Sequence, residues 1–319
     1  MRIQKEFGHR TRKLNSDEVK SKYFLVFEGE KSEIQYFSGI NDNKLQLGIS
    51  PLIEIKPIMR SFEEIGWSNP KKLLDRLIEY KNECDVGTMS IVSILSKTID
   101  FLLEDNILNC ESIYSPIQMR DKLCEYFLNE KSMPVDTEVT EIEEFTNEVI
   151  LSLSIVFSIN AVIKDLSSYI EGQRILYDKE VDSICLIVDR DKESFVNNPG
   201  NNQYRYVLDN CIKNDIKFYL TNPCFEFWLL MHFEEVKGVD KEMLLENPKI
   251  SGKRRYAEVE LKKVVTEYNK NNIKFDNFLP RIELAVENEK YFCEDVDLLE
   301  DNVGSNIGLL IRELINKHN

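Results

Sequence analysis

The segment Ser183-Ile184-Cys185-Leu186-Ile187-Val188 is almost wholly apolar and ends abruptly in Asp189-Arg190-Asp191. A short apolar run rich in β-branched residues predicts a buried strand. The two aspartates stand two positions apart, so an extended backbone turns both side chains to the same side. Carboxylates beside a core are costly unless they are paired or bound to a cation. Oxygen ligands at a strand's C-terminal end suit Mg²⁺ or Mn²⁺, and open α/β sheets bind ligands at that edge. The alternative is an acidic turn after a strand, where Asp is common.

Tyr23-Phe24-Leu25-Val26-Phe27 predicts a second short buried strand, running directly into Glu28-Gly29-Glu30-Lys31-Ser32-Glu33. Gly29 permits a sharp turn, or a close approach that a side chain would block. Ser32 followed by Gln35 has the spacing of a capping box, so a helix is expected to start at Glu33. Glu28 then sits at a strand end, as the aspartates do. If the strands are neighbours, three carboxylates converge at one edge. A solvated loop acid is the alternative for Glu28 and the expected role of Glu30 and Glu33.

A third segment, Asn222-Pro223-Cys224-Phe225-Glu226-Phe227-Trp228-Leu229-Leu230-Met231-His232-Phe233, completes a recognisable order. Glu-Gly after one strand and Asp-x-Asp after another resemble the TOPRIM fold of topoisomerases, bacterial primases and OLD-family nucleases. Together with Phe27 to Phe37, the third segment makes the chain resemble the RloB-like family, TOPRIM-related proteins linked to bacterial phage defence. The resemblance spans roughly residues 10–60 and 180–319, and Asn302-Val303-Gly304-Ser305-Asn306 meets the family's C-terminal pattern loosely. It implies an α/β fold with a TOPRIM-like, mostly parallel sheet flanked by helices. It further implies a Mg²⁺- or Mn²⁺-dependent endonuclease acting on RNA, tRNA included, or on DNA. Asp189 and Asp191 would hold the metal. Glu28 would either ligate it or act as general acid/base. The family's association with ATPases implies a partner of that class.

The chain has 319 residues and a formal charge of −15, which argues against a generic nucleic-acid binder because phosphate contacts need basic residues. The distribution of charge weakens that objection. Ser61 to Asp178 carry 10 basic and 22 acidic residues, a net of −12, whereas the first sixty carry 11 basic and 8 acidic, a net of +3. Seven cysteines form no CxxC pair, so buried free thiols in a reducing cytoplasm are expected. The basic N-terminus lacks the apolar stretch of a secretory signal. The stretch from Val149 to Ile163 is too short and too often interrupted by serine to be expected to span a membrane.

Along the chain, residues 1–20 read as a basic arm. Residues 21–83 and 177–319 show alternating strand and helix patterns, with strands near 22–27, 50–58, 181–188 and 216–220. Between them, residues 84–176 carry apolar residues at helical spacing and predict a large acidic all-helical insertion. The insertion is expected to cover one sheet edge structurally, or else to bind a partner or drive homo-oligomerisation. The family pattern does not account for it.

Asn222-Pro223 predicts a strand end, a turn and a helix start, with Glu226 in the first helical turn and favoured by the helix dipole. Glu226 is thereby a catalytic candidate. His232 lies six residues on, about 240° around a helix from it, and is expected to be structural. Arg10, Arg12, Lys13, Lys253, Arg254 and Arg255, with Tyr256, are candidates for nucleic-acid contact, the alternative being solvated surface. No phosphate-binding P-loop or dinucleotide glycine fingerprint is present, so no nucleotide cofactor is expected. The chain is expected to act as a metal-assisted phosphodiester hydrolase. The alternative is a non-cleaving nucleic-acid- or partner-binding component of a defence complex.

Overall fold

A computed structural model describes residues 21–29, 31–58, 69–86, 88–104, 114–157, 159, 166, 170, 178–190, 195, 202–252 and 254–317. The candidates Arg10, Arg12, Lys13, Asp191 and Lys253 fall outside these residues, as does Glu30. The protein is a mixed α/β structure built on a five-stranded, mostly parallel sheet. In sheet order the strands are β2 (Ile53–Pro57), β1 (Ser21–Phe27), β5 (Ser183–Asp189), β6 (Ile216–Asn222) and β9 (Gly304–Ser305). The first four pair in parallel and β9 closes one edge antiparallel, with Thr221 opposite Ser305 and Asn222 opposite Gly304.

The inner strands β1, β5 and β6 are largely buried on both faces, whereas the edge strand β2 buries Ile53 and Ile55 on one face and exposes Glu54 on the other. Alternation divides their side chains cleanly. Tyr23, Leu25, Phe27, Ile53, Ile55, Cys185, Ile187 and Tyr219 enter one core, with Tyr36, Phe37 and Ile40 of α1 (Ser32–Asp42). Phe24, Val26, Ile184, Leu186, Val188, Ile216, Phe218 and Leu220 enter the other. There they meet Leu73, Leu74 and Leu77 of α2 (Pro70–Val86) and Val207 and Leu208 of α6 (Gln203–Lys213). This is the period-two division expected of a sheet buried on both sides.

A third core forms among α3 (Ile91–Glu104), α4 (Pro116–Glu130) and α5 (Ile142–Phe157), around Leu95, Leu123, Phe127 and Leu153. The α4 helix opens with the capping box of Ser115 and Gln118. This region is not all helical, as the sequence led us to expect. Met89–Ser90 (β3) and Glu138–Val139 (β4) pair antiparallel. Strands of two residues are too short to show an alternation, so the period-two signal is missing.

The C-terminal helix, α11 (Ile307–Asn316), ties the N-terminal end of the sheet. Tyr23 Oη donates to Glu313 Oε1 at 2.5 Å, Lys217 pairs with the same carboxylate, and Lys317 Nζ donates to Ser21 Oγ at 2.7 Å. Asp182 lies at that end too, accepting from Lys22 N at 2.8 Å and Asp178 N at 2.9 Å. It is therefore remote from the strand ends that carry the other acids. Among the described residues no helix is long and apolar enough to cross a membrane, and Cys124, Cys185, Cys211, Cys224 and Cys293 are free thiols, three of them buried.

Candidate functional site

Three acids stand at successive strand ends. Glu28 follows β1, Asp189 ends β5, and Glu226 lies in the first turn of α7 (Phe225–Leu230), just after β6. All three are partly exposed. Because β1, β5 and β6 are adjacent and parallel, their C-terminal ends share one rim. Glu28 N–H donates to Ile187 O at 3.0 Å, which extends the β1–β5 ladder past the last strand residue. In return, Glu28 Oε2 accepts the Asp189 N–H at 3.0 Å. The two acidic residues are thus fastened together through backbone and side chain, so Glu28 is no freely solvated loop acid. Arg190 N–H donates to Thr221 O at 2.8 Å, fixing the start of the Asp-Arg-Asp turn against β6.

Glu226 connects to the same rim through Cys224. Burial raises the Cys224 thiol well above its usual pKa, and the carboxylates of Glu226 and Asp189 push it further up. One thiol therefore feels both acids. Asn247 Nδ2 donates to Cys224 Sγ at 3.5 Å. The other side of Glu226 is held by Tyr268, whose hydroxyl donates to Oε1 at 3.2 Å. Burial keeps the Tyr268 phenol well above its usual pKa, and the Glu226 carboxylate reinforces it, so it remains a donor at neutral pH. Tyr268 belongs to no motif visible in the sequence. It is placed by the turn after α9 (Tyr256–Val264), which packs on α7.

Glu33 departs from its expected role as a solvated acid. It is 7% exposed, and a Cβ built on Gly29 would fall 2.1 Å from its carboxylate oxygens. A side chain at Gly29 would have to displace that carboxylate, the flexible end of the Glu33 side chain. The expected capping box is also absent. Helix α1 starts at Ser32 with no side-chain cap, because Ser32 Oγ donates to Lys270 O at 2.9 Å and Gln35 Oε1 accepts from Ile273 N at 2.6 Å. Both polar side chains are drawn away from the helix end by the 270–273 loop, a tertiary contact that local spacing cannot reveal.

His232 is structural, as expected. It is fully buried, with Nδ1 at 3.2 Å from Trp228 O and 3.1 Å from Leu229 O. Carbonyl oxygens only accept, so Nδ1 carries the proton and Nε2 accepts from Tyr36 Oη at 3.0 Å. Burial lowers its pKa to about 3, keeping the ring neutral. Of the basic candidates, Arg254 is half exposed and lies 3.5 Å from Glu258, whereas Arg255 Nη1 donates to Asn247 O at 3.3 Å. Arg255 is therefore two contacts from Cys224. Tyr256 is half-buried against the core rather than presented for stacking.

Among the described residues no group of three His, Cys, Asp or Glu side chains is gathered to hold a metal. Glu28 and Asp189 stand at neighbouring strand ends, joined by the bond from Asp189 N–H to Glu28 Oε2, and Asp191 follows two residues later in the sequence. The family model described as RloB-like protein matches residues 23–314. No curated protein and no solved structure matches the chain.

Proposed function

We propose that this chain, which belongs to the RloB-like family, is a metal-dependent nuclease with a TOPRIM-like core. Its substrate is RNA, tRNA included, or DNA, and the family resemblance gives phage defence as its setting. The observation that supports this reading is the bond from Asp189 N–H to Glu28 Oε2, which joins two acidic residues at the ends of neighbouring parallel strands. Mg²⁺ is commonly held by one or two carboxylates, with waters and substrate phosphate oxygens filling its remaining positions. A rim built from Glu28 and Asp189, with Asp191 beyond, suits that demand. A cation held there would neutralise the scissile phosphate and lower the pKa of a bound water. Glu226, oriented by the Tyr268 hydroxyl, is the candidate proton carrier.

The test is cleavage of tRNA, single-stranded RNA, and linear and supercoiled DNA in Mg²⁺ or Mn²⁺, comparing wild type with Asp189→Ala/Asp191→Ala. Loss of cleavage in both the double variant and EDTA is expected. Cleavage that survives both sinks the reading. A second reading, a component that binds nucleic acid or a partner without cutting, draws support from the formal charge of −15. Metal binding without turnover, with or without an ATPase partner, would favour it.

A further inference from the structure

A cavity of roughly 160 Å³ opens beside the carboxylate rim, lined by Arg190, Asn222, Leu245, Glu300 and Asp301. Its walls belong to the same strand ends as the acids. Arg190 directly follows β5, Asn222 ends β6, Leu245 lies in α8 (Lys241–Glu246), and Glu300 and Asp301 precede β9. The walls are also fixed. The Arg190 guanidinium lies over the Phe195 ring, 5.5 Å from its centroid, and Arg190 Nη2 is 3.6 Å from Glu300 Oε1. Asn222 Nδ2 donates to Leu299 O at 2.8 Å and to Glu300 O at 3.3 Å, holding the loop that carries both acids.

The lining chemistry excludes the simplest occupants. A bare phosphate would face two carboxylates, and a metal ion would face a guanidinium. Drug-sized ligands need about 300 Å³ or more, so the space suits a single ring system. Such a ligand must offer acceptors to Arg190 and donors to Glu300 and Asp301. Guanine does both, with O6 and N7 as acceptors and N1–H and the N2 amino group as donors on the neighbouring edge. Unpaired bases are read along such edges and stack on arginine planes.

We propose that this cavity binds a guanine base of a single-stranded nucleic acid and so sets the sequence preference of the rim. The assignment of that rim to a nuclease rests on the function proposed above, whereas base binding is measurable without cleavage. Fluorescence anisotropy in EDTA would compare labelled single-stranded RNAs carrying one guanosine, inosine or adenosine at the same position. Inosine lacks the N2 amino donor, so its strand is expected to bind about tenfold more weakly than the guanosine strand. Glu300→Gln and Asp301→Asn, each checked by thermal melting, should lose that preference. Equal binding of the three strands, no binding at all, or a guanosine preference unchanged in both variants would overturn the proposal. Metal-dependent cleavage without base preference would leave the nuclease reading standing and remove the pocket. Guanosine-selective binding without any cleavage would do the reverse.

Discussion

Two substitutions of Glu28 separate what its carboxylate does for the fold from what it does for chemistry. Glu28→Ala removes the acceptor of the Asp189 N–H, now 3.0 Å away. A buried donor left without a partner costs about 1–3 kcal/mol. Both residues are partly exposed, so water recovers part of that, and about 1–2 kcal/mol remains. For a core of this size, such a loss lowers the melting midpoint by about 2–8 °C. Glu28→Gln keeps an oxygen acceptor at the same reach and removes only the charge, so its midpoint should stay close to wild type. If the charge serves a cation, Glu28→Gln should still lose about a hundredfold in cleavage, the scale of a few kcal/mol of transition-state stabilisation. Melting curves and single-turnover cleavage on the same preparations give both numbers. A Glu28→Gln protein that melts with Glu28→Ala would show that the acceptor geometry is not what holds the rim. One that cleaves like wild type would remove the carboxylate from the chemistry.

Gly29→Ala should cost about 1 kcal/mol or less, because the Glu33 carboxylate, the flexible end of its side chain, can swing off the new Cβ; a larger loss in a urea titration, recovered by Glu33→Ala, would show that the carboxylate cannot move. Stability should also follow pH in three stages. His232, with a folded pKa of about 3 against 6.5 unfolded, contributes fully above pH 6.5 and loses that contribution as pH falls. Glu289, whose carboxyl is raised to about 8 by burial, keeps a proton that the unfolded chain has released, so its contribution is lost as pH rises from 4.5 to 8. The two slopes, each about 1.4 kcal/mol per pH unit, oppose between pH 4.5 and 6.5, giving a plateau with decline on both sides. His232→Gln should flatten the acid limb and Glu289→Gln the alkaline limb; urea midpoints unchanged in shape by either substitution would contradict this.

The sheet was legible because its strands obey one simple constraint. Strands buried on both faces must be apolar almost throughout, and Tyr23–Phe27 and Ile184–Val188 are. Their ends were legible too, since a charged residue directly after such a run has only the strand terminus to occupy. That reasoning located Glu28 and Asp189, whereas Glu226 was legible from Asn222-Pro223 as a strand end and helix start. It failed where a polar side chain answers to a contact that spacing and periodicity do not show. Glu33 looked like a solvated acid because nothing local shows that it lies over Gly29. Ser32 and Gln35 matched a capping box, yet bond a loop more than 230 residues away. Tyr268, which orients Glu226, sits in a stretch without any motif. Ser32, Gln35 and Tyr268 share a cause: each is defined by a contact between α1 or α7 and the segment after α9, and periodicity carries no information about such pairings.

The short segment from Asn302 to Asn306 shows why a weak motif can still be structurally demanding. A Cβ on Gly304 would fall 1.9 Å from Cys293 O, so only glycine lets β9 lie between β6 and the Cys293 backbone. Asn306 then continues the ladder with a side chain. Its Oδ1 accepts from Leu220 N at 2.6 Å and its Nδ2 donates to Phe218 O at 3.1 Å, doing for β6 what another strand residue would do. The amide satisfies one donor and one acceptor that would otherwise be buried unpaired at the sheet edge. It also directs the chain into α11, whose Glu313 reaches back to Tyr23 and Lys217 at the opposite end of the strands. The last helix is thereby attached to β1 and β6, two of the strands whose far ends carry the acids. Rigidity at the rim is needed if carboxylates are to be held within a few tenths of an ångström of a working geometry. In this fold the last helix ties β1 and β6 together at the end of the sheet opposite the acids.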